Sequence, residues 1–207
     1  MLLPKIYPIT DTQLSGISHL EQVKALLAGG ARMIQIRDKH MSSRELFGAI
    51  EECQALIRDH DAKLIVNDRV DIAMALGADG VHLGQDDLPP VEARKLLSAN
   101  AIIGFSTHSV EQALEAIKFP VDYIAAGPIF RTLSKTDAEP AIGLTGLKTI
   151  RQAIGGFPLV GIGGIDLDNC RDVLSAGADS VAMISALISQ PSKITTQMRK
   201  ALEIAAN

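Results

Sequence analysis

The sequence predicts an α/β protein and, within that class, a single (β/α)8 barrel formed by residues 1–207. Short apolar segments alternate with stretches of helical periodicity along the chain, and no long linker interrupts them. Four segments also resemble one another: "AGGARMIQI", "LGADGVHLG", "FPVDYIAAG" and "AGADSVAMI". In three of them a glycine stands where a helix should end, just before a short strand, which is the repeat expected of strand–helix units.

The strands are predicted at the short apolar runs. "KIYPIT", "KLIVND", "AIIGFS" and "FPLVGIGG" complete the set begun by the four repeats, and helix-period stretches such as "HLEQVKALLAGG" separate them. An open doubly wound sheet is the alternative, but it usually has about five or six strands, and "GIGGI" is not its dinucleotide fingerprint. The eight strands are expected at residues 5–10, 32–37, 63–67, 80–84, 101–105, 121–126, 157–162 and 179–184.

Composition restricts the class of partner. The chain is 47% hydrophobic and only 3% aromatic, and its formal net charge of −4 argues against a general nucleic-acid surface. No apolar run approaches the roughly 18 residues of a membrane span, and the amino terminus lacks a signal-peptide core. Cys53 and Cys170 are isolated from each other and from any histidine pair, as is usual in a reducing compartment. We therefore expect a cytoplasmic protein that binds small molecules and neither nucleic acid nor a membrane.

Polar residues follow the predicted carboxyl ends of the strands, where barrels of this kind place their active sites. The strand starts offer nothing comparable. The residues are Gln35, Arg37 and Lys39; Asn67, Asp68 and Arg69; Gln85, Asp86 and Asp87; Ser106, Thr107 and His108; Thr132, Ser134 and Lys135; Gly163 and Gly164; and Ile184 and Ser185.

Gln35, Arg37 and Lys39 share one face, because side chains along a strand repeat every second residue. Two cations on that face, at a barrel mouth, suit a di- or triphosphate. The alternative is structural: the cations could form salt bridges with Asp38 or with neighbouring strands.

Asp68 and Asp87 follow adjacent strands and are candidate Mg²⁺ ligands. Mg²⁺ prefers oxygen ligands and commonly takes one or two carboxylates together with substrate phosphate oxygens. Either aspartate could instead cap a helix, and Asp86 could do so in place of Asp87.

The glycines of "VGIGGI" and the start of the segment after the last strand predict a second anion site, since this fold often binds phosphate there. A tight turn is the alternative explanation for the glycines. His108 could act as a general base, but Ser109 and Gln112 have the spacing of a capping box and explain the segment by helix initiation.

Several motifs, in order from about Tyr7 to Ala186, resemble those of the thiamine phosphate synthase family. They are "QIRDK", "LIVNDRVDIA", "GADGVHLGQDDLP", "IGFSTHS", "DYIAAGPIFRTLSK", "VGIGGI" and "GADSVAMISA". The resemblance implies a (β/α)8 barrel enzyme that uses Mg²⁺ as cofactor. It would join a hydroxymethylpyrimidine diphosphate to a thiazole phosphate, giving thiamine phosphate and pyrophosphate.

The resemblance also implies roles for individual residues. The pyrimidine diphosphate would be bound by Gln35, Ile36, Arg37, Asp38, Lys39, Asn67, Ser106 and Lys135, of which Arg37, Lys39, Ser106 and Lys135 would be catalytic. Mg²⁺ would be held by Asp68 and Asp87. The thiazole phosphate would be bound by Thr132, Leu133, Ser134, Gly164, Ile184 and Ser185.

The chain departs from the family in one loop, which usually reads Pro-Thr-x-Thr-Lys. Here Arg131 replaces the proline and Ser134 replaces the second threonine, keeping its hydroxyl. A thiazole tautomerase on the same scaffold and a non-catalytic thiamine phosphate sensor are the alternative functions. We further expect Gly164→Val to weaken thiazole phosphate binding with little change in thermal stability.

Overall fold

Eight parallel strands close into a barrel in the computed structural model, which describes residues 3–132 and 140–206. Each strand pairs with the next along the chain, and the last pairs with the first. The predicted (β/α)8 barrel, or TIM barrel, is therefore confirmed, and the open-sheet alternative is wrong. The strands are β1 (Ile6–Thr10), β2 (Met33–Ile36), β3 (Lys63–Asn67), β4 (Gly80–Leu83), β5 (Ile102–Thr107), β6 (Tyr123–Ala126), β7 (Leu159–Ile162) and β8 (Ser180–Met183).

Helices surround the strands. Two of them, α2 (His19–Ala28) and α3 (Ser43–Asp59), begin with complete capping boxes, formed by Ser18 with Glu21 and by Ser42 with Glu45. No helix in the described ranges is long and apolar enough to cross a membrane. The helices are α1 (Thr12–Ser15), α2 (His19–Ala28), α3 (Ser43–Asp59), α4 (Val70–Leu76), α5 (Pro90–Leu96), α6 (Val110–Ala116), α7 (Gly143–Ile154), α8 (Cys170–Ser175), α9 (Ser185–Ile188) and α10 (Ile194–Ala206), with a 3-10 turn at Pro191–Lys193.

Strand side chains alternate between two cores. Outward residues such as Ile34 and Ile36 pack against the helices, whereas Tyr7, Met33 and Tyr123 belong to a separate cluster inside the barrel. Because the pattern repeats every second residue, inward positions include Gln35, Asn67, His82, Gly104 and Ser106. The filling of the barrel thus changes from apolar to polar side chains toward the carboxyl ends.

Two strand boundaries differ from the prediction at positions that matter for the site. β2 ends at Ile36, so Arg37 lies just beyond the strand. β5 continues to Thr107, because Ser106 and Thr107 stay in register with Ala125 and Ala126 of β6. Ser106 is therefore a strand residue and not a loop residue.

Candidate active site

The two cations after β2 are each held by a carboxylate from a neighbouring strand end. Arg37 Nη1 donates to Asp11 Oδ2 at 2.7 Å, and both side chains are largely buried. Lys39 Nζ lies 2.5 Å from Asp68 Oδ2, and its side chain is 51% exposed. The salt bridges to neighbouring strands are therefore present, while the binding of a diphosphate by these cations stays a prediction. These pairs bring β1, β2 and β3 together at the mouth and leave Lys39 open to a ligand.

Asp38 organises the loop after β2. Its carboxylate accepts from the hydroxyl of Thr12 and from the main-chain N–H groups of His40 and Met41. The side chain of Ile36 is fully buried in the outer core. The two residues were predicted to bind substrate, and the contacts available to them differ: Asp38 supports the loop, and Ile36 could meet a ligand only through its main chain.

Asp11 is a residue that the sequence analysis missed. Its Oδ1 accepts from the N–H groups of Gln13 and Leu14 and caps α1, while its Oδ2 holds Arg37. The Asp11 carboxylate, which directly follows β1, thus caps α1 and also fixes Arg37, a predicted catalytic cation. An aspartate directly after a strand was the available signal, but its partner lies 26 positions further along the chain.

The side chains of Asp68 and Asp87 lie beside each other, and their predicted binding of Mg²⁺ stays a prediction. Burial first, and next the hydrogen-bonded carboxyl of Asp68, raise the pKa of Asp87 above its usual range. The hydrogen bond from the N–H of Gly84 and, to a smaller extent, the nearby Lys39 ammonium lower the pKa of Asp87 and only partly offset this effect. Two neighbouring half-buried carboxylates form a set of oxygen donors suited to a divalent cation.

The helix-cap alternative for these aspartates is wrong. α4 begins after Arg69 and α5 after Pro89, and neither of those capping residues makes a side-chain cap hydrogen bond. Asp87 instead accepts from the N–H of Gly84 at 2.6 Å. Asp68 has a left-handed backbone, with φ of 61°, and its N–H donates to the carbonyl of His82. Both carboxylates are therefore positioned by the turns after β3 and β4.

Gln35 and Ser106 reach into the barrel, where they contact residues that the sequence analysis did not select. Gln35 Nε2 donates to Tyr7 Oη at 2.9 Å, and Ser106 Oγ lies 2.9 Å from His82 Nε2. His82 is buried, and both of its ring nitrogens are hydrogen-bonded. His82 occupies an inward-facing position of β4, and this position could have identified it as a residue of the barrel interior. Asn67 also faces the inside of the barrel and is half-buried.

The glycines after β7 allow very close main-chain packing. Gly163 and Gly164 have φ of 98° and 65°, and a Cβ on Gly164 would lie 2.6 Å from the Arg131 carbonyl oxygen. The tight-turn alternative is therefore correct, while a role in anion binding stays a prediction. The expectation that Gly164→Val leaves stability unchanged is wrong on this geometry, because the added side chain meets the β6–α7 segment before any ligand.

The remaining predicted thiazole phosphate residues lie around these glycines or outside the described residues. Ile184 precedes α9, and Ser185 is its exposed first residue. Thr132 is half-buried and Arg131 exposed at the edge of the described chain. Leu133, Ser134 and Lys135 lie outside the described residues, so their predicted contacts stay predictions.

His108 is engaged with its surroundings. Its Nδ1 lies 2.6 Å from the Gly127 carbonyl, and its N–H donates to Gln112 Oε1. Ser109 Oγ accepts from the N–H of Gln112, as in a capping box, but Gln112 returns the bond to His108 instead of Ser109. Helix initiation therefore explains this segment.

The fold and the mouth define a small-molecule barrel enzyme whose site combines cations, a carboxylate pair and inward amide and hydroxyl groups. Residues 6–187 match the thiamine monophosphate synthase family. The thiamine-phosphate synthase of Methanospirillum hungatei is 48% identical over 90% of this chain and 90% of its own, and that of Chloroflexus aurantiacus is 46% identical over 89% and 85%. The chain belongs to the thiamine monophosphate synthase family.

A solved structure supports the same assignment. Thiamine phosphate pyrophosphorylase from Pyrococcus furiosus superposes with a TM-score of 0.89 at 40% identity, covering 98% of this chain and 96% of that one. A structure described as native KDPGal superposes with a TM-score of 0.76 at 15% identity and shows only the shared fold. The predicted function as a thiamine-phosphate synthase, a transferase, is confirmed, and the tautomerase and sensor alternatives are not favoured.

Proposed function

We propose that the enzyme joins a 4-aminopyrimidine carrying a diphosphooxymethyl group to a thiazole phosphate, with Mg²⁺ as cofactor. The C–O bond between the pyrimidine methylene and the diphosphate breaks, and pyrophosphate leaves with the bonding electrons. The thiazole nitrogen forms the new C–N bond with its lone pair and becomes the thiazolium nitrogen of thiamine phosphate. The step needs neither a protein nucleophile nor a proton transfer.

The adjacency of Asp68 and Asp87, with Lys39 bonded to Asp68, is the observation that carries this proposal. Within residues 3–132 and 140–206 no group of three or more His, Cys, Asp or Glu side chains forms a metal cage. A carboxylate pair supplies part of a Mg²⁺ shell, and diphosphate oxygens and water supply the remainder. When bound, Mg²⁺ would neutralise negative charge on the diphosphate.

The other residues at the mouth act by charge and by placement. Arg37, fixed by Asp11, and Lys39 stabilise the charge that grows on the leaving diphosphate. Gln35, Asn67 and Ser106 orient the pyrimidine, and the segments after β7 and β8 receive the thiazole phosphate so that its nitrogen faces the methylene carbon. Lys135 is assigned to the diphosphate by family resemblance alone.

Pyrophosphate release tests the proposed reaction. The protein is incubated with the pyrimidine diphosphate, the thiazole phosphate or both, in Mg²⁺ or in excess chelator. We expect one pyrophosphate per thiamine phosphate formed, only with both substrates and Mg²⁺. Isomerisation of a thiazole phosphate without pyrophosphate release would instead indicate a tautomerase, and product binding without turnover would indicate a sensor.

A further inference from the structure

A continuous chain of side-chain hydrogen bonds joins Gln35 to Ser106 through the inside of the barrel. Gln35 Nε2 donates to Tyr7 Oη at 2.9 Å, and Tyr7 Oη lies 3.1 Å from Tyr123 Oη. Tyr123 Oη lies 3.0 Å from His82 Nδ1, and His82 Nε2 lies 2.9 Å from Ser106 Oγ. Each residue comes from a different strand, so the chain of bonds is a product of the closed barrel.

The barrel is shaped around this network. The His82 and Tyr123 rings stack with centroids 5.5 Å apart, and Tyr7 meets Tyr123 edge to face. A Cβ on Gly104 would lie 2.1 Å from Tyr123 Cζ and 2.5 Å from His82 Nδ1. Glycine at position 104 therefore leaves the space that lets the two rings meet.

The hydrogen bonds have one consistent direction. The heavy atoms leave the donor open in the Tyr7–Tyr123 and Tyr123–His82 bonds, but Tyr7 accepts from Gln35, and this contact assigns the Tyr7 proton to Tyr123 and the Tyr123 proton to His82 Nδ1. Burial raises the pKa of both phenols well above the ordinary value, so they keep these protons. A neutral His82 then carries its proton on Nε2 and donates it to Ser106 Oγ. Gln35 Oε1 is left as an acceptor and the Ser106 hydroxyl as a donor.

We propose that this network determines substrate specificity by fixing an acceptor at Gln35 and a donor at Ser106, which together select a 4-aminopyrimidine over its 4-oxo analogue. The inference rests on the proposed function, which supplies the pyrimidine. The amino form offers an N–H donor beside a ring-nitrogen acceptor, and the oxo form offers the reverse pattern. Binding the oxo form would require the Gln35 amide to turn over and every proton in the chain of bonds to reverse. Tyr7, Tyr123 and His82 are positioning residues.

Tyr123→Phe breaks the network at its centre without changing Gln35 or Ser106. Once Tyr7 has lost the acceptor for its proton, it can donate to Gln35, and the amide can turn to suit either substrate. We expect the ratio of the kcat/KM value for the amino diphosphate to that for the oxo diphosphate to fall by about tenfold or more. A change of this size is expected when a buried polar group that one substrate leaves unpaired gains a hydrogen-bond partner. Ile65→Val, in the same inner cluster but outside the network, should leave the ratio unchanged.

A second measurement determines the direction of the hydrogen bonds in the network without following the reaction. Nitrogen-15 NMR of histidine-labelled protein reports which ring nitrogen of His82 is protonated, and a His82→Gln sample identifies its signals. We expect a neutral ring with the proton on Nε2. A proton on Nδ1, or equal loss of activity toward both pyrimidines in Tyr123→Phe, would overturn the inference. Failure of the wild-type protein to release pyrophosphate from the amino substrate would overturn the proposed function instead, while the NMR result would still decide the direction of the bonds.

Discussion

At the scale of single residues, a substitution of Asp87 can distinguish a metal-binding role of this residue from a structural one. Asp87→Asn keeps an oxygen that can accept from Gly84 but removes a charge from the carboxylate pair. We expect the Mg²⁺ concentration for half-maximal activity to rise at least about tenfold, since metal sites commonly lose that much affinity even when supporting residues change. Measured in parallel, Asp86→Asn provides the control, because Asp86 is exposed beside the pair. Similar Mg²⁺ dependence in both variants would contradict the assignment.

Asp11 tests whether the position of Arg37 matters as well as its charge. Asp11→Asn keeps an equally good helix cap but weakens the hold on the guanidinium. We expect kcat to fall about tenfold, while the free energy of unfolding changes by less than about 1 kcal/mol. Asp122→Asn, which weakens the Arg94 ion pair elsewhere, is the matched control and should leave kcat unchanged. An unaltered kcat in Asp11→Asn would leave Asp11 with a capping role alone.

At the scale of elements, the turn after β7 is constrained by its own packing. Gly164→Ala places a methyl group at positive φ and against the Phe130–Arg131 backbone. We expect a loss of about 1–3 kcal/mol in unfolding free energy, measured by denaturant titration. Gly156→Ala, at an ordinary φ with nothing within 4 Å of the added carbon, should be nearly neutral. Equal stabilities of the two variants would show that the turn relaxes freely.

His19, the first residue of α2, is expected to make the stability of the fold depend on pH. Burial lowers the pKa of His19 below its ordinary value of 6.5, although Asp38 and Asp11 oppose the shift. The His19 ring therefore binds a proton more readily in the unfolded chain than in the folded one. The stabilisation from burying the neutral His19 ring is present above pH 6.5, and it is lost as the pH falls below that value. His19→Gln should flatten that part of the profile of unfolding free energy against pH, measured by denaturant titration at each pH. Parallel profiles for wild type and His19→Gln would contradict the assignment.

The sequence predicted the elements better than their ends. All eight strands were found because the apolar runs and the glycines at helix ends are local signals. The end of β2 and the extension of β5 depend on pairing with neighbouring strands, which no local pattern encodes. The placement of Ser106 inside a strand followed from such pairing.

At the scale of the whole molecule, the clustering of polar residues at one end of the barrel could be predicted, because each of them follows its own strand. Lys39, Asp68 and Asp87 lie together there, and Arg37 follows the same strand as Lys39, while the roles of these residues toward substrate and Mg²⁺ stay predictions. The partners of these residues could not be predicted in the same way. Asp11 meets Arg37, and Tyr7 meets Tyr123 across 116 positions, only after the barrel has closed.

Calorimetric titration with pyrophosphate tests most directly the claim that the mouth holds a diphosphate together with Mg²⁺. The account predicts one pyrophosphate bound per chain with Mg²⁺ present, and binding weakened at least about tenfold by chelator or by the double variant Asp68→Asn/Asp87→Asn. An Asp86→Asn control should bind as the wild type does. Equally tight binding by the double variant, or by the wild type without Mg²⁺, would contradict the account.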